Sequence, residues 1–215
     1  MKIVIQAHRP EFLPATLHFL DKFWPKHPEV VVITWPPHKL NVKVPVVYLG
    51  RDGNFGSNMI QFLDRSYREK FFVNWLVDYI VRHPVDREVF QAAVKLMQRP
   101  DVCSVRLHRH FTPQKGPFFE RDKRFRVLSK KQRYLFSQQV AVWQTSTYRS
   151  LLRLGETAWQ TETHGSTRAT RVQQTFLGVA VECVDYHNLY ARRHFDQGAL
   201  QHIRKDIPNF LKGAR

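Results

Sequence analysis

Between Gly155 and Arg171 the sequence reads GETAWQTETHGSTRATR. Two carboxylates, Glu156 and Glu162, flank Trp159, and Arg168 and Arg171 follow at once. A carboxylate beside an aromatic ring can take a proton from a hydroxyl, and guanidinium groups next to it can hold a polyanion. Proton removal beside a bound polyanion is the chemistry this stretch suggests. Glu162 reads as the base of such a step or as a buried, salt-bridged side chain, and Glu156 lies where it could cap the turn that follows. Trp159 reads equally as a core residue or as a surface on which an acceptor stacks.

Other polar residues fall where apolar runs stop, and in parallel α/β sheets ligands collect at the carboxyl ends of the strands. KIVIQA gives way to Gln6, His8 and Arg9. VPVVYLG leads into RDGNFGSN, with Asp52, Asn54, Ser57 and Asn58 among glycines. This loop carries no Walker or Rossmann fingerprint, and a turn followed by a helix cap accounts for it equally well. Asp78 follows FFVNWLV, where a carboxylate either caps the next element or meets a ligand or metal. His108 with His110, and Asp185 with His187, are spaced to share one face of a strand, so either pair could hold a cation. RLHRH reads better as a basic edge, which leaves Asp185 and His187.

The elements that must position these residues alternate through the first hundred positions. Strands are expected at 2–7, 29–35, 44–50, 70–81 and 102–109, and helices at 12–24, 57–69 and 86–98, with Asp86 as an N-cap. That order predicts an α/β fold with a mostly parallel sheet covered by helices on both faces. After residue 110 the pattern loosens. Residues 121–133 are a basic run, 141–154 turn helical in their later part, 177–190 return to a strand, and the tail is helical around 198–206. No linker divides the chain, so a single domain over residues 1–215 is expected.

Thirty-four Lys and Arg against eighteen Asp and Glu leave a net charge of +16. Nucleic acid is the leading partner for such an excess, an anionic membrane surface the second, and solubility alone the third. Cys103 and Cys183 lack metal or redox spacing and read as buried, reduced thiols of a cytosolic protein. The N-terminal apolar run is too short for a secretory signal, and no run of about 18 apolar residues is long enough to span a bilayer. A cytoplasmic location is expected.

The text from Tyr134 to Ala169, YLFSQQVAVWQTSTYRSLLRLGETAWQTETHGSTRA, resembles a group of small nucleotide-sugar glycosyltransferases of the GT-A fold from bacterial and phage sequences. The shared positions are Ser137, Gln139, Trp143, Leu151, Leu152, Gly155, Glu156, Trp159, Glu162, Gly165, Ser166, Arg168 and Ala169. NFGSNMIQFL and WLVDYIVRHPVD look like two further motifs of the group, so the likeness spans most of residues 2–190. It implies a GT-A-like (Rossmann-like) domain, with a nucleotide-sugar-binding half at 1–110 and an acceptor-binding half with a basic tail at 111–215. Gln6, His8, Arg9, Asn54, Ser57, Asn58 and Asp78 would meet the donor, UDP-glucose by expectation, and Glu162 and Asp78 would be catalytic. The group carries two adjacent aspartates where this chain has Val77 and Asp78. A divalent cation, Mn or Mg, would then rest on Asp78 with His187, or basic side chains would carry the diphosphate charge instead.

The resemblance does not name the acceptor; the charge separates the readings. Similar proteins modify surface glycans or glucosylate hydroxymethylated bases in DNA, and a duplex-modifying enzyme gains affinity from each phosphate it neutralises. The residues expected on the acceptor or on DNA are Arg124, Arg126, Lys130, Lys131, Arg133, Gln139, Trp159, Arg168, Arg171, Arg192 and Arg193. The reading is transfer of glucose to a 5-hydroxymethylpyrimidine in DNA. The alternatives are transfer to a surface or lipid-linked glycan, and a non-catalytic nucleic-acid-binding domain on a transferase fold.

Overall fold

The computed structural model describes residues 1–36, 38–109, 116–191 and 194–212. The first half supplies β1 (Lys2–Gln6), a 3-10 turn (Pro10–Phe12), α1 (Leu13–Phe23), β2 (Val30–Thr34), β3 (Val46–Tyr48) and α2 (Asn54–Arg65). It continues with β4 (Phe71–Leu76), β5 (Tyr79–Val81), α3 (Arg87–Leu96) and β6 (Val102–Arg106). The second half supplies β7 (Phe118–Phe119), β8 (Asp122–Val127), β9 (Ala141–Gln144), α4 (Thr145–Leu151), α5 (Ala158–Ala169) and β10 (Thr175–Val179). The short strands β11 (Tyr186–Asn188), β12 (Tyr190–Ala191) and β13 (His194–Phe195) precede α6 (Gln197–Asp206).

Nine strands form one sheet in the order β3-β2-β1-β4-β9-β6-β10-β8-β7. The strands from β3 to β4 are parallel, as are β6 and β10, and these carry the expected α/β pattern. β9 enters between β4 and β6 and runs antiparallel to both, while β8 and β7 close the far edge antiparallel, so the sheet is mixed.

Alternation along the strands sends side chains to two cores, one on each face. Ile3 and Ile5 pack with Phe19 and Leu20 of α1, Phe90 of α3 and Ile203 of α6. Val4 and Phe72 pack with Met59 and Phe62 of α2 and Tyr148 of α4. Helices therefore cover both faces of a single α/β domain. Asp86 caps α3 as expected, its carboxylate accepting from the amides of Glu88 and Val89. Cys103 and Cys183 are both buried free thiols.

Three expected boundaries change. The apolar run at 70–81 is not one strand: β4 stops at Leu76, and β5 pairs antiparallel with β11 in a separate small sheet. Hydrophobicity is continuous across the break, and tertiary bonds make the turn. The Thr16 hydroxyl donates to the Val77 carbonyl, and Leu189 N donates to the Asp78 carbonyl at 2.7 Å. Residues 177–190 likewise divide into β10 and β11. The helix expected from 57 begins at Asn54, whose φ of 67° lies in the left-handed region that Asn tolerates better than most residues.

Two glycines fix how the helices of the second face meet. A Cβ on Gly56 would stand 2.3 Å from the Arg153 carbonyl oxygen, so the first turn of α2 can press against the 153–156 loop only as glycine. A Cβ on Gly165 would stand 2.5 Å from the Phe136 ring, which fixes how closely α5 lies over the segment before β9.

Candidate functional site

β1, β4 and the N-terminal turns of α2 and α5 converge on a cavity of about 270 Å³. Its walls include Gln6, His8, Trp35, Asp52, Asn58 and Asp78. Asn54 at the start of α2, and Thr157 and Ala158 at the start of α5, complete the rim. Helix N-termini present unpaired amides and the positive end of the peptide dipoles, which suits an anion. Thr157 is the N-cap of α5 and closes a reciprocal capping box with Gln160.

Two wall residues carry buried polar atoms without a protein partner: Nε2 of Gln6, a donor, and Oδ1 of Asp78, an acceptor. Leaving such atoms unpaired costs about 1–3 kcal/mol each, which a polar ligand would offset. Burial pushes the Asp78 carboxyl up to about 7, against the opposing pull of its own backbone amide and of Arg9. Asp52 is already bonded, accepting from Asn54 N at 3.0 Å and Asn58 Nδ2 at 2.9 Å.

The expected donor residues divide by position. Gln6, His8, Asn54, Asn58 and Asp78 share the cavity. Arg9 stands outside its walls, with its guanidinium 3.9 Å from the centre of the Tyr190 ring, while its charge still bears on Asp78. The Ser57 hydroxyl accepts from Gly155 N at 2.8 Å, and Asn54 Nδ2 donates to the Gly155 carbonyl at 3.2 Å. Together they clasp Gly155, whose φ of 76° favours glycine, and so set the entry into α5. Ser57 is thus a loop anchor rather than a wall of this cavity.

Glu162 lies four residues after Ala158, on the same side of α5 that borders the cavity. Its Oε1 accepts from the Ser137 hydroxyl at 2.9 Å and from Gln138 N at 2.7 Å. A buried network supports that turn. Gln138 Nε2 donates to Thr161 Oγ1 at 3.2 Å, and its Oε1 accepts from the Tyr148 hydroxyl at 2.7 Å and Asn74 Nδ2 at 3.2 Å. Sequence reasoning named Ser137 and Gln139 but not Gln138, Asn74, Tyr148 or Thr161. No local pattern marks them, because they converge from β4, the 137–140 segment, α4 and α5.

Trp159 is 63% exposed, so it does not bury Glu162; it stands one turn earlier on α5 as an open ring. Glu156 does not cap α5. It holds Arg168 through two bonds, Oε1 to Nη1 at 2.9 Å and Oε2 to Nη2 at 2.6 Å, and Arg168 Nε donates to the Leu151 carbonyl. Burial works to raise the Glu156 carboxyl, but Arg168 and His164 outweigh it and hold it below its ordinary range.

A wall of two stacked rings, Tyr79 and Tyr186 with centroids 4.4 Å apart, lies within the fields of both Asp78 and Glu162. The Tyr186 hydroxyl donates to Gln139 Oε1. Tyr186 and Gln139 also line a second cavity of about 430 Å³ with Arg82, His108, Glu182, Asp185 and Asn188. Asp185 there lies 3.6 Å from both Arg82 and His83, whereas His187 turns to His202, 5.8 Å between ring centres. His110 lies outside the described residues. Among the described residues no group of three His, Cys, Asp or Glu side chains is placed to hold a metal ion.

The basic residues also divide. Arg124 is held by Asp122 at 2.9 and 2.7 Å. Arg126 bonds the Gly116 carbonyl and covers the Phe118 ring at 4.0 Å. Lys130 Nζ donates to the carbonyls of Val172 and Gln174, both at 2.6 Å. Lys131, Arg133 and Arg171 are exposed. Arg192 and Arg193 lie outside the described residues. β8, which carries Arg124 and Arg126, is five strand spacings from β1, roughly 24 Å.

No protein-family model matches the sequence, and no curated protein matches it. Solved structures do. S. aureus TarS 1-349 in complex with UDP aligns over 97% of this chain and 65% of its own, with a TM-score of 0.59 and 11% identity. A crystal structure of S. aureus TarS aligns over all of this chain and 44% of its own, with a TM-score of 0.59 and 12% identity. The 2-C-methyl-D-erythritol 4-phosphate cytidylyltransferase of Thermus thermophilus aligns over 95% of this chain and 98% of its own, with a TM-score of 0.52 and 12% identity. This chain therefore spans less than two thirds of TarS and nearly all of the smaller enzyme. The likeness carries the fold, a GT-A-like α/β sheet flanked by helices.

Proposed function

We propose that this protein is a nucleotide-sugar-dependent glycosyltransferase whose donor sits in the cavity between β1, β4, α2 and α5. The observation that carries the reading is the unpartnered Gln6 Nε2 and Asp78 Oδ1 in the walls of that one cavity. A nucleotide offers acceptors and donors to match both. UDP in one structural neighbour and cytidylyl transfer in another support a pyrimidine nucleotide, and UDP-glucose is the donor proposed.

In this reading Glu162 takes the proton of the acceptor hydroxyl as its oxygen attacks the anomeric carbon. The new bond joins that oxygen to the sugar, the bond from the sugar to the diphosphate breaks, and the nucleoside diphosphate leaves. Arg9 and the two helix N-termini stabilise the departing charge. Asp78, held mostly protonated below about pH 7 by its burial, offers the diphosphate little repulsion there.

The acceptor proposed is the hydroxymethyl group of 5-hydroxymethylcytosine or 5-hydroxymethyluracil in DNA, supported by the +16 charge and by the exposed Lys131, Arg133 and Arg171. A base in a duplex must be extruded to reach such a site, and the open Trp159 ring beside Glu162 is a surface on which it can stack. Transfer to a surface or lipid-linked glycan is the second reading, favoured by the mixed-sign lining of the second cavity.

Incubating each modified DNA with a panel of nucleotide sugars, then analysing nucleosides by mass spectrometry, tests the proposal. A hexosylated nucleoside supports it. Product on a glycan and none on either DNA replaces the acceptor. Absence of both transfer and UDP-glucose hydrolysis leaves the non-catalytic nucleic-acid-binding domain.

A further inference from the structure

The loop before the shared motif and the outer side of α5 enclose a groove of about 330 Å³, separate from both cavities above. Its cations are Lys130, Lys131 and Arg133, and no acidic residue lines it. Thr163, Ser166, Thr167 and Thr170 form the α5 wall, so the groove starts one residue beyond Glu162 and runs roughly 10 Å along the same helix.

The loop is held in shape before any ligand arrives. Tyr134 has φ 58°, the left-handed region that a bulky residue rarely adopts. Its carbonyl accepts from Nη2 of the buried Arg106 at 2.7 Å, and the Arg133 guanidinium lies 4.8 Å from its ring centre. Such strain persists only where the surroundings over-determine it, and it gathers at ligand clamps. Lys130 is engaged by two carbonyls, which leaves Lys131 and Arg133 as the cations presented outward.

We propose that this groove holds the phosphodiester backbone of the acceptor strand, with Lys131 and Arg133 each neutralising one phosphate, and so leads the strand to Glu162. The inference deepens the reading of Glu162 as the base acting on DNA and rests on it. A lining with cations and no acids matches a polyanion. A membrane face would need apolar side chains between the cations, and none of the exposed large apolar residues lines the groove.

The test compares wild type with Lys131→Ala/Arg133→Ala and with the charge-keeping Lys131→Arg/Arg133→Lys pair, on a hydroxymethylated duplex over a salt series. Both positions are exposed, and thermal unfolding checks that the fold survives. Two phosphates give a slope of log K against log salt that is shallower by about 1.8 in the alanine pair, with the charge-keeping pair near wild type. Transfer to DNA should fall about tenfold or more at 0.15 M salt, while UDP-glucose hydrolysis without acceptor stays unchanged.

An unchanged slope overturns the groove even if transfer occurs. A shallower slope with undiminished transfer overturns its role in guiding the acceptor. Loss of binding to phosphatidylserine vesicles, with the DNA slope intact, replaces nucleic acid by a membrane. If wild type modifies no DNA while its slope still depends on this pair, the groove stands as a phosphodiester site and the acceptor reading falls.

Discussion

Glu162 Oε1 lies 2.7 Å from the backbone nitrogen of Gln138, so the carboxylate of one element is fixed by the main chain of another. The amide of a substituted side chain can keep that bond, because its oxygen still accepts. Glu162→Gln should therefore fold as wild type and bind donor and DNA with unchanged affinity. Its transfer rate should fall by about 10²–10⁴, the usual contribution of a general base. Single-turnover rates with saturating donor measure this, and retention of full turnover removes Glu162 from the chemistry.

Asp78 gives a prediction about pH. Burial raises its pKa from 3.8 to about 7, so between those values the folded protein holds a proton that the unfolded chain has lost. Stability contributed by this group is complete below about pH 4, declines as pH rises, and has gone above about pH 7. The decline amounts to about 4 kcal/mol. Asp78→Asn has no charge to bury, so its stability should not show this decline, and it should be the more stable protein at pH 8 despite weaker donor binding. Urea unfolding of both proteins at pH 4 and pH 8 decides this, and parallel pH curves would contradict it.

Arg168 gives a third. Sequence neighbourhood placed it on DNA, but the structure engages it with Glu156 and the Leu151 carbonyl. Arg168→Ala should lower stability by about 1–3 kcal/mol, because it leaves the Glu156 carboxylate and a carbonyl without their partner. It should leave the salt slope for DNA where it was. A slope that drops by about 1 returns Arg168 to the nucleic-acid interface.

These residues also mark what the sequence could tell. The strands at 2–7 and 29–35 were legible as short β-branched runs buried on both faces, and the helix at 12–24 by the helical spacing of its apolar side chains. The end of β4 was not, since Trp75, Val77 and Tyr79 are all buried and hydrogen bonds, among them those from Thr16, Leu189 and the Trp75 indole, hold the turn. Gln6, Asn58 and Asp78 were singled out by the rule that strand ends gather ligands, and they line one cavity. Ser57 obeys the same rule and yet serves a loop. Basic residues were legible as a sum and illegible one by one. Whether Lys130 meets solvent or two carbonyls depends on where residues 172 and 174 return.

β9 has a consequence for how the chain reaches its final state. It fills the gap between β4 and β6, both of which are made roughly forty to seventy residues earlier. Until ribosomal synthesis passes residue 144, those two strands expose unsatisfied edges to any neighbouring chain. The centre of the sheet closes only once this late strand is made, and β6 keeps a second open edge until β10 follows. This order makes a fragment ending near residue 110 prone to aggregate rather than a separable donor-binding unit.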